Sequence, residues 1–397
     1  MRRLVLFIAT LLIATSSSIL AAELPESAWD SGKLDELATF LRALHEHKQF
    51  NGTILLAQDG KVVFEESLGY ANIDKNEPLG PRSSFRLASL SKQFTAMGIM
   101  MLKEQGKLDY EDDIRKYLPE LPYEGITIRH LLNHTSGLPD YIALFDRIWD
   151  PGTSPDRRRM AFNRDVVEQF AKHKPPLRFR PGERFEYSNT GYVLLGEVIE
   201  RVSGQPVQSF LQSRIFDVVG MKDSAAFSPG ESFKLKHRVS GFAWTDDGLG
   251  HRQNDYHDLN GVVGDGGIYA SARDLLKWDQ ALYTERLVSQ STLKEAFTPG
   301  KLADGTETGY GFGWEIRRNS NGSLQVRHSG GWVGFRTHIA RDIEEKDTLI
   351  VLTSDTSSNL RCILLNIPRI REGKDYRLPW FTVDGLKPLL GKFWNTE

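Results

Sequence analysis

Phe85-Arg86-Leu87-Ala88-Ser89-Leu90-Ser91-Lys92-Gln93-Phe94 is the stretch on which the reading of this chain turns. Ser89 and Lys92 stand three residues apart, so on a helix their side chains share one face. A serine hydroxyl is a weak nucleophile near neutral pH, and another group must take its proton. A lysine can do so only when burial or a nearby positive field favours its neutral amine. The following residues supply burial. Phe94, Ala96, Met97, Ile99, Met100, Met101 and Leu102 leave almost no polar face, which predicts a helix through the interior. The helix is expected to begin near Ser89, where unpaired N–H groups and the positive dipole end help hold Lys92 neutral and can bind an oxyanion. Gly106 is the expected C-terminal cap.

Ser-x-x-Lys alone is weak evidence, because a chain of 397 residues holds about one by chance. A second occurs at Ser291-Thr292-Leu293-Lys294, where Ser291 reads as a helix cap and Lys294 as solvated. The assignment rests on what accompanies Ser89. Tyr187-Ser188-Asn189 is a Tyr-x-Asn. A tyrosine near Ser89 and Lys92 can share the proton transfer, and an asparagine beside it can donate to and accept from a substrate amide. Tyr70-Ala71-Asn72 repeats the pattern at the end of a predicted hairpin and reads as structural. His328-Ser329-Gly330-Gly331 ends a predicted strand. Small residues there let backbone approach a substrate, and its N–H groups can complete an oxyanion hole. His328 and Ser329 can bind a substrate carboxylate or carbonyl. His130 and His134 have metal-ligand spacing, but no carboxylate ligand accompanies them, so no metal or other cofactor is expected.

The chain is 40% hydrophobic and 26% charged, as a globular protein is, and is long enough for one large or two ordinary domains. A formal charge of -2 gives no electrostatic reason to expect a nucleic-acid or anionic-membrane partner. Cys362 stands alone, which excludes an intrachain disulfide and a cysteine-based metal site. Residues 1–22 read as a signal peptide. Arg2 and Arg3 precede an apolar core from Leu4 to Ile13, and Ala21-Ala22 offers a cleavage site, with an uncleaved anchor as the alternative. The chain is therefore expected to be exported, to a bacterial periplasm or beyond.

Lys33 to Lys48 is an amphipathic helix with Leu34, Leu37, Phe40, Leu41 and Leu44 on one face. Thr53–Ala57 and Val62–Phe64 flank Asp59-Gly60, a hairpin signal. Helices are predicted over Ile126–Pro139, Tyr192–Val202 and Val207–Phe216. Asp140–Arg159 is expected to be a charged loop rimming a cleft, and Phe227–Asn260 to be irregular. Strands return over Gly313–Arg317, Leu324–His328, Phe335–Arg341 and Thr348–Thr353. Strands at both ends with helices between predict an α/β (α+β) fold, with one sheet drawn from both termini. The expected division is a domain over 23–365 and a tail over 366–397. Within the domain the sheet part covers about 23–106 and 305–365, and the helical part about 107–304.

Ser89-x-x-Lys92, Tyr187-x-Asn189 and His328-Ser329-Gly330, in that order, resemble the three motifs of the serine β-lactamase and penicillin-binding protein superfamily. The Tyr-x-Asn form resembles the class C branch, which also holds D-alanyl-D-alanine carboxypeptidases, D-amino-acid amidases and carboxylesterases. Similar stretches run over His130–Pro139, Pro181–Tyr192, Gly264–Asp274 and Tyr310–Trp314. The resemblance implies a central antiparallel sheet flanked by helices, a mostly helical domain, and a site between them. It implies that Ser89 is acylated, Lys92 and Tyr187 move protons, Asn189 positions a substrate amide, and the N–H groups of Ser89 and Gly331 form the oxyanion hole, without a metal. Class C enzymes carry Lys-Thr-Gly where this chain has His-Ser-Gly, which weakens attraction for a substrate carboxylate. Histidine there resembles some carboxypeptidases and D-aminopeptidases. The expected activity is hydrolysis of an amide or ester, foremost a D-amino-acid peptide. The alternatives are a β-lactamase, a carboxylesterase, or a non-catalytic β-lactam sensor. Leu386–Trp394 resembles the opening of a small β-barrel domain found after the catalytic domain in some relatives, or is a strand-like tail.

Overall fold

The computed structural model describes residues 29–150, 159–227, 235–319, 321–376 and 378. The 1–22 segment and Leu386–Trp394 lie outside them. Strand β1 (Gly52–Gln58) turns into β2 (Lys61–Leu68) through Asp59 and Gly60. Both turn residues have positive φ, 47° and 74°, the pairing that suits a twisted two-residue hairpin. The other four strands of the main sheet come from the far end of the chain. They are β3 (Glu315–Arg318), β4 (Leu324–Trp332), β5 (Phe335–Asp342) and β6 (Asp347–Thr353). The sheet order is β3-β4-β5-β6-β1-β2, antiparallel throughout. Gly52 lies opposite Thr353, so β1 and β6 join the two ends of the chain as expected.

Alternation along the strands sends their side chains to two cores. Ile54, Leu56 and Val351 pack with helix α1 (Ser31–Glu46) through Leu37, Phe40, Leu41 and Leu44. Leu55, Ala57, Ile350 and Leu352 face the larger core, which holds helix α2 (Lys92–Glu104) and helix α3 (Asn189–Ser203). Every residue of α2 from Lys92 to Leu102 is buried, including the polar Lys92, Gln93 and Thr95, in line with a sequence that leaves almost no polar face. Arg341 on β5 and Asp279 on the helix Ala272–Ala281 form an ion pair with neither side chain exposed, tying that helix to the sheet.

Several boundaries differ from expectation. The expected tail begins at 366, but helix α4 (Leu360–Arg371) crosses that point. Ile363, Ile367 and Ile370 recur at helical spacing and are buried against the α1 side of the sheet, so packing carries the domain further. The Ile126–Pro139 helix shrinks to Ile128–Leu132, because His134 takes a φ of 58° and turns the chain. The Asp140–Arg159 loop opens with a helix, Tyr141–Ile148, capped by the Asp140 side chain. Phe227–Asn260 contains a small hairpin, Phe242–Trp244 with His251–Gln253. Ser289, not Ser291, caps the helix that holds the second Ser-x-x-Lys.

Candidate active site

Ser89 does not stand on the α-helix itself. It lies in a 3-10 turn, Ala88–Ser91, that leads into α2 at Lys92. Ala88 has a φ of 51°, a left-handed conformation that costs a non-glycine residue about 1 kcal/mol. The surroundings hold it there. The Leu87 carbonyl accepts the Thr337 hydroxyl at 2.7 Å, and the Leu87 N–H donates to the Ile268 carbonyl at 2.8 Å. The Ser91 hydroxyl accepts the Ile268 N–H at 3.1 Å. The turn is thus clamped between β5 and the glycine-rich 261–269 segment.

Lys92 is buried, and its Nζ is the hub of the site. Nζ donates to Asn189 Oδ1 at 2.8 Å and to the Asp265 carbonyl at 2.9 Å. Its third neighbour is Ser89 Oγ at 3.2 Å. The first two partners are acceptors only and take two N–H bonds. The third direction suits either protonation state. An ammonium donates to the serine oxygen, and a neutral amine accepts the serine proton. Asn189 opens α3 and is fixed in turn by Asp140, whose Oδ2 accepts the Asn189 N–H at 3.0 Å and its Nδ2 at 2.9 Å.

The third motif lies inside β4, which continues past His328 to Trp332. Strand β3 covers only the 324–327 half of β4, so the 328–332 half has a free edge beside the Ser89 turn. Gly330 is where the two backbones meet. A Cβ there would lie 2.3 Å from the Leu87 carbonyl oxygen and 2.5 Å from Thr337 Oγ1. Only glycine allows that approach. Gly331 is exposed and lines the cleft with Ser89, as an oxyanion donor must. Ser329 is exposed, and its hydroxyl meets His338 Nδ1 at 2.8 Å.

His328 departs from the role expected of it. Its ring is buried, 3% exposed. Nδ1 lies 2.6 Å from the Ser329 carbonyl, which can only accept, so Nδ1 carries the proton. Nε2 then accepts the Tyr310 hydroxyl at 2.9 Å. Burial first, and the Lys92 charge second, push its pKa down to about 3. A neutral imidazole with both nitrogens engaged is a poor carboxylate ligand. The alternation of β4 decides this, since His328 shares the buried side with Gly330 while Ser329 and Gly331 face out.

Tyr187 stands beside this group, 38% exposed, with Lys92 Nζ 4.9 Å from its ring centroid. Its ring lies on that of His134, centroid to centroid 4.2 Å. His134 is buried and takes the Ser188 N–H on Nδ1 at 3.2 Å, and its Nε2 has no partner among the described residues. Burial, then the Lys92 charge, holds it well below the usual histidine range. His130 spends Nδ1 on the Thr127 N–H in a capping box. The two histidines are therefore anchors of backbone, not a ligand pair.

The cleft beside Ser89 encloses about 220 Å³, with Asn189, Gly331, Arg86, Asp265 and Trp332 in its walls. Structure thus gathers Ser89, Lys92, Asn189 and Gly331, sets Tyr187 alongside, and turns His328 inward. Pattern reading passed over Asp140, His134, Thr337, Asp265 and Arg86 as site residues. Arg86 was within the quoted motif, and Asp265 within the glycine-rich run. His134 stood in the His130–Pro139 stretch and Asp140 at the start of the cleft-rim loop, but no local signal gives their roles or marks Thr337, because their partners are distant in sequence.

A family model described as "Beta-lactamase" matches residues 37–363. Penicillin-binding protein 4* of Bacillus subtilis (strain 168) is 38% identical over 358 residues, 87% of this chain and 78% of that protein. A D-aminopeptidase of Gluconobacter oxydans (strain 621H) is 27% identical, across 77% of this chain and 56% of that one. The crystal structure of a penicillin-binding protein from Bacillus halodurans superposes with a TM-score of 0.70 at 29% identity, over 83% of this chain and 98% of that one. The motifs, the sheet and these likenesses agree, and the chain belongs to the beta-lactamase family of serine hydrolases.

Proposed function

We propose that this protein is an exported serine hydrolase that forms an acyl-enzyme on Ser89 and hydrolyses an amide or ester. The proposed substrate class is D-amino-acid peptides of the carboxypeptidase or D-aminopeptidase type. The observation that carries this reading is the 3.2 Å contact between Ser89 Oγ and a buried Lys92 whose other partners are fixed acceptors. Ser89 Oγ attacks the carbonyl carbon and gives its proton to Lys92, which takes it on the lone pair of its neutral amine form. The carbonyl oxygen gains negative charge and is held by the N–H groups of Ser89 and Gly331. As the bond to the leaving nitrogen or oxygen breaks, that atom takes a proton through Tyr187. Water then enters, loses a proton to the same groups, and releases the acid and Ser89. Asn189 keeps Lys92 in place throughout. The D-peptide class is supported by the named relatives, and the inward, neutral His328 disfavours substrates that depend on a cation at the third motif. Export is supported by the Arg2-Arg3 and Leu4–Ile13 pattern.

The test follows intact mass over time with a penicillin, measures the drug in parallel, and adds a panel of D-peptides and esters. Ser89→Ala is the control. A Ser89-dependent adduct together with D-peptide turnover is the expected result. Fast drug hydrolysis would make the protein a β-lactamase, and a lasting adduct without turnover of any substrate would make it a sensor. Parent and Ser89→Ala behaving alike throughout would refute the acyl-enzyme.

A further inference from the structure

Arg86 lies three residues before Ser89, on the short strand Phe85–Arg86, with Tyr269 opposite. It is 2% exposed and lines the cleft. Nη2 reaches the Asn260 carbonyl at 3.4 Å, the far limit of a hydrogen bond, and Nε and Nη1 have no partner among the described residues. Among the described residues no carboxylate lies within ion-pair distance of it. Asp265, the acid on the same floor, is engaged instead by the Tyr141 hydroxyl at 3.2 Å. The rings of Phe227 and Tyr269 lie 5.8 and 5.7 Å from the guanidinium and cannot satisfy its N–H groups. A buried cation normally has a partner, because leaving water costs far more than weak contacts return. A cleft that keeps such a cation beside its candidate nucleophile is suited to a ligand that brings the anion.

The position says which part of a substrate would bring it. The pocket that holds Arg86 also holds Ser89, Asn189 and Gly331, whereas Tyr187, His328 and Ser329 do not line it. With the leaving group on the Tyr187 side, this pocket takes the acyl portion. Ile142, Leu259, Val262 and Trp332 give the pocket apolar lining beside the polar Asn189, Tyr141 and Asp265. We propose that Arg86 binds a carboxylate at the end of the substrate's acyl-side chain, with that chain's methylenes lying on Leu259, Val262 and Trp332. The inference rests on the acyl-enzyme reading above and names the substrate feature that reading leaves open. It places anion recognition on the opposite side of Ser89 from His328.

The test compares the 4-nitroanilides of D-glutamate and D-glutamine, which are equal in length and differ in one side-chain charge. The parent should favour the D-glutamate substrate by about tenfold or more in kcat/KM, mostly through KM. Arg86→Met should collapse that ratio to near one, and Arg86→Lys should keep part of it. Equal rates on both substrates in the parent would overturn the proposal. So would an Arg86→Met variant that slows both substrates alike and keeps the ratio, since Arg86 would then be only a support for the turn. Binding is read separately by calorimetry with glutarate and its uncharged diamide on the parent and on Arg86→Met. Heat from glutarate alone, lost in the variant, supports the subsite even if neither anilide is cleaved and the hydrolase reading fails. No difference between the two ligands overturns it even if hydrolysis is seen.

Discussion

Lowering the pH from 7.5 to 4.5 should cost the parent protein about 2.7 kcal/mol of stability that a His328→Gln variant keeps. The reasoning starts from the buried ring. In the folded protein His328 holds its pKa near 3, against 6.5 in an unfolded chain, because burial and the Lys92 charge oppose a second proton. Between those values the unfolded chain binds a proton that the folded protein refuses. Stability from this site is therefore complete above pH 6.5 and is lost as pH falls toward 3. At pH 4.5 the unfolded pKa is two units away, and each unit is worth about 1.36 kcal/mol. The figure barely depends on the folded value so long as that stays below about 4. Glutamine can donate to the Ser329 carbonyl and accept from Tyr310, so both contacts survive without a titrating group. His338, also pushed down to about 3 by burial, and His134 lose stability over the same range in both proteins and cancel. Urea denaturation of each protein at the two pH values measures the difference. Equal losses in parent and variant would refute the reasoning, as would an NMR titration of His328 with a midpoint near 6.5.

Lys92→Ala should lower turnover of any productive substrate by at least about 100-fold while leaving Ser89 in place, since it removes the proton acceptor; steady-state rates near the parent's would take Lys92 out of proton transfer. Gly330→Ala should lower kcat by about 100-fold, because the new methyl must push the Ser89 turn off β4, and a crystal structure of the variant should show the Leu87 carbonyl displaced. Arg341→Met should destabilise the fold by about 3–5 kcal/mol in urea, because Asp279 stays buried and charged without its partner. The pair Arg341→Met with Asp279→Leu should recover most of that loss, and no recovery would mean the two residues matter separately.

Much of this protein was legible in its residues. The apolar run after Lys92, the Leu periodicity of α1 and the Asp59-Gly60 turn are local patterns, and each formed the element it predicts. Strands at both chain ends announced a sheet closed by β1 against β6. Spacing placed Ser89 and Lys92 within reach of one another even though the turn between them is 3-10, since both helix types bring residues three apart together. Boundaries set by contact were less legible. The end of the Ile128–Leu132 helix depends on His134 leaving helical φ to meet Ser188, and α4 passes residue 365 because its isoleucines find the α1 side of the sheet.

By itself the sequence determined which chemistry is present: a serine three residues from a lysine, a tyrosine and asparagine pair, and a glycine-rich third motif, carried by elements whose hydrophobic period is plain. Tertiary structure alone decided what each group can do. A side chain's charge, tautomer and reach follow from burial and from partners that arrive from distant segments. His328 and Arg86 show the contrast. Each sits in a motif that any reader would mark. The pleat of β4 turns the histidine into the core, where Tyr310 and Ser329 occupy it. The pairing of Arg86 opposite Tyr269 leaves the arginine at the cleft with Nε and Nη1 unmet among the described residues. Local spacing encodes neighbours along the chain, whereas solvation and pairing are set by what the fold packs against them.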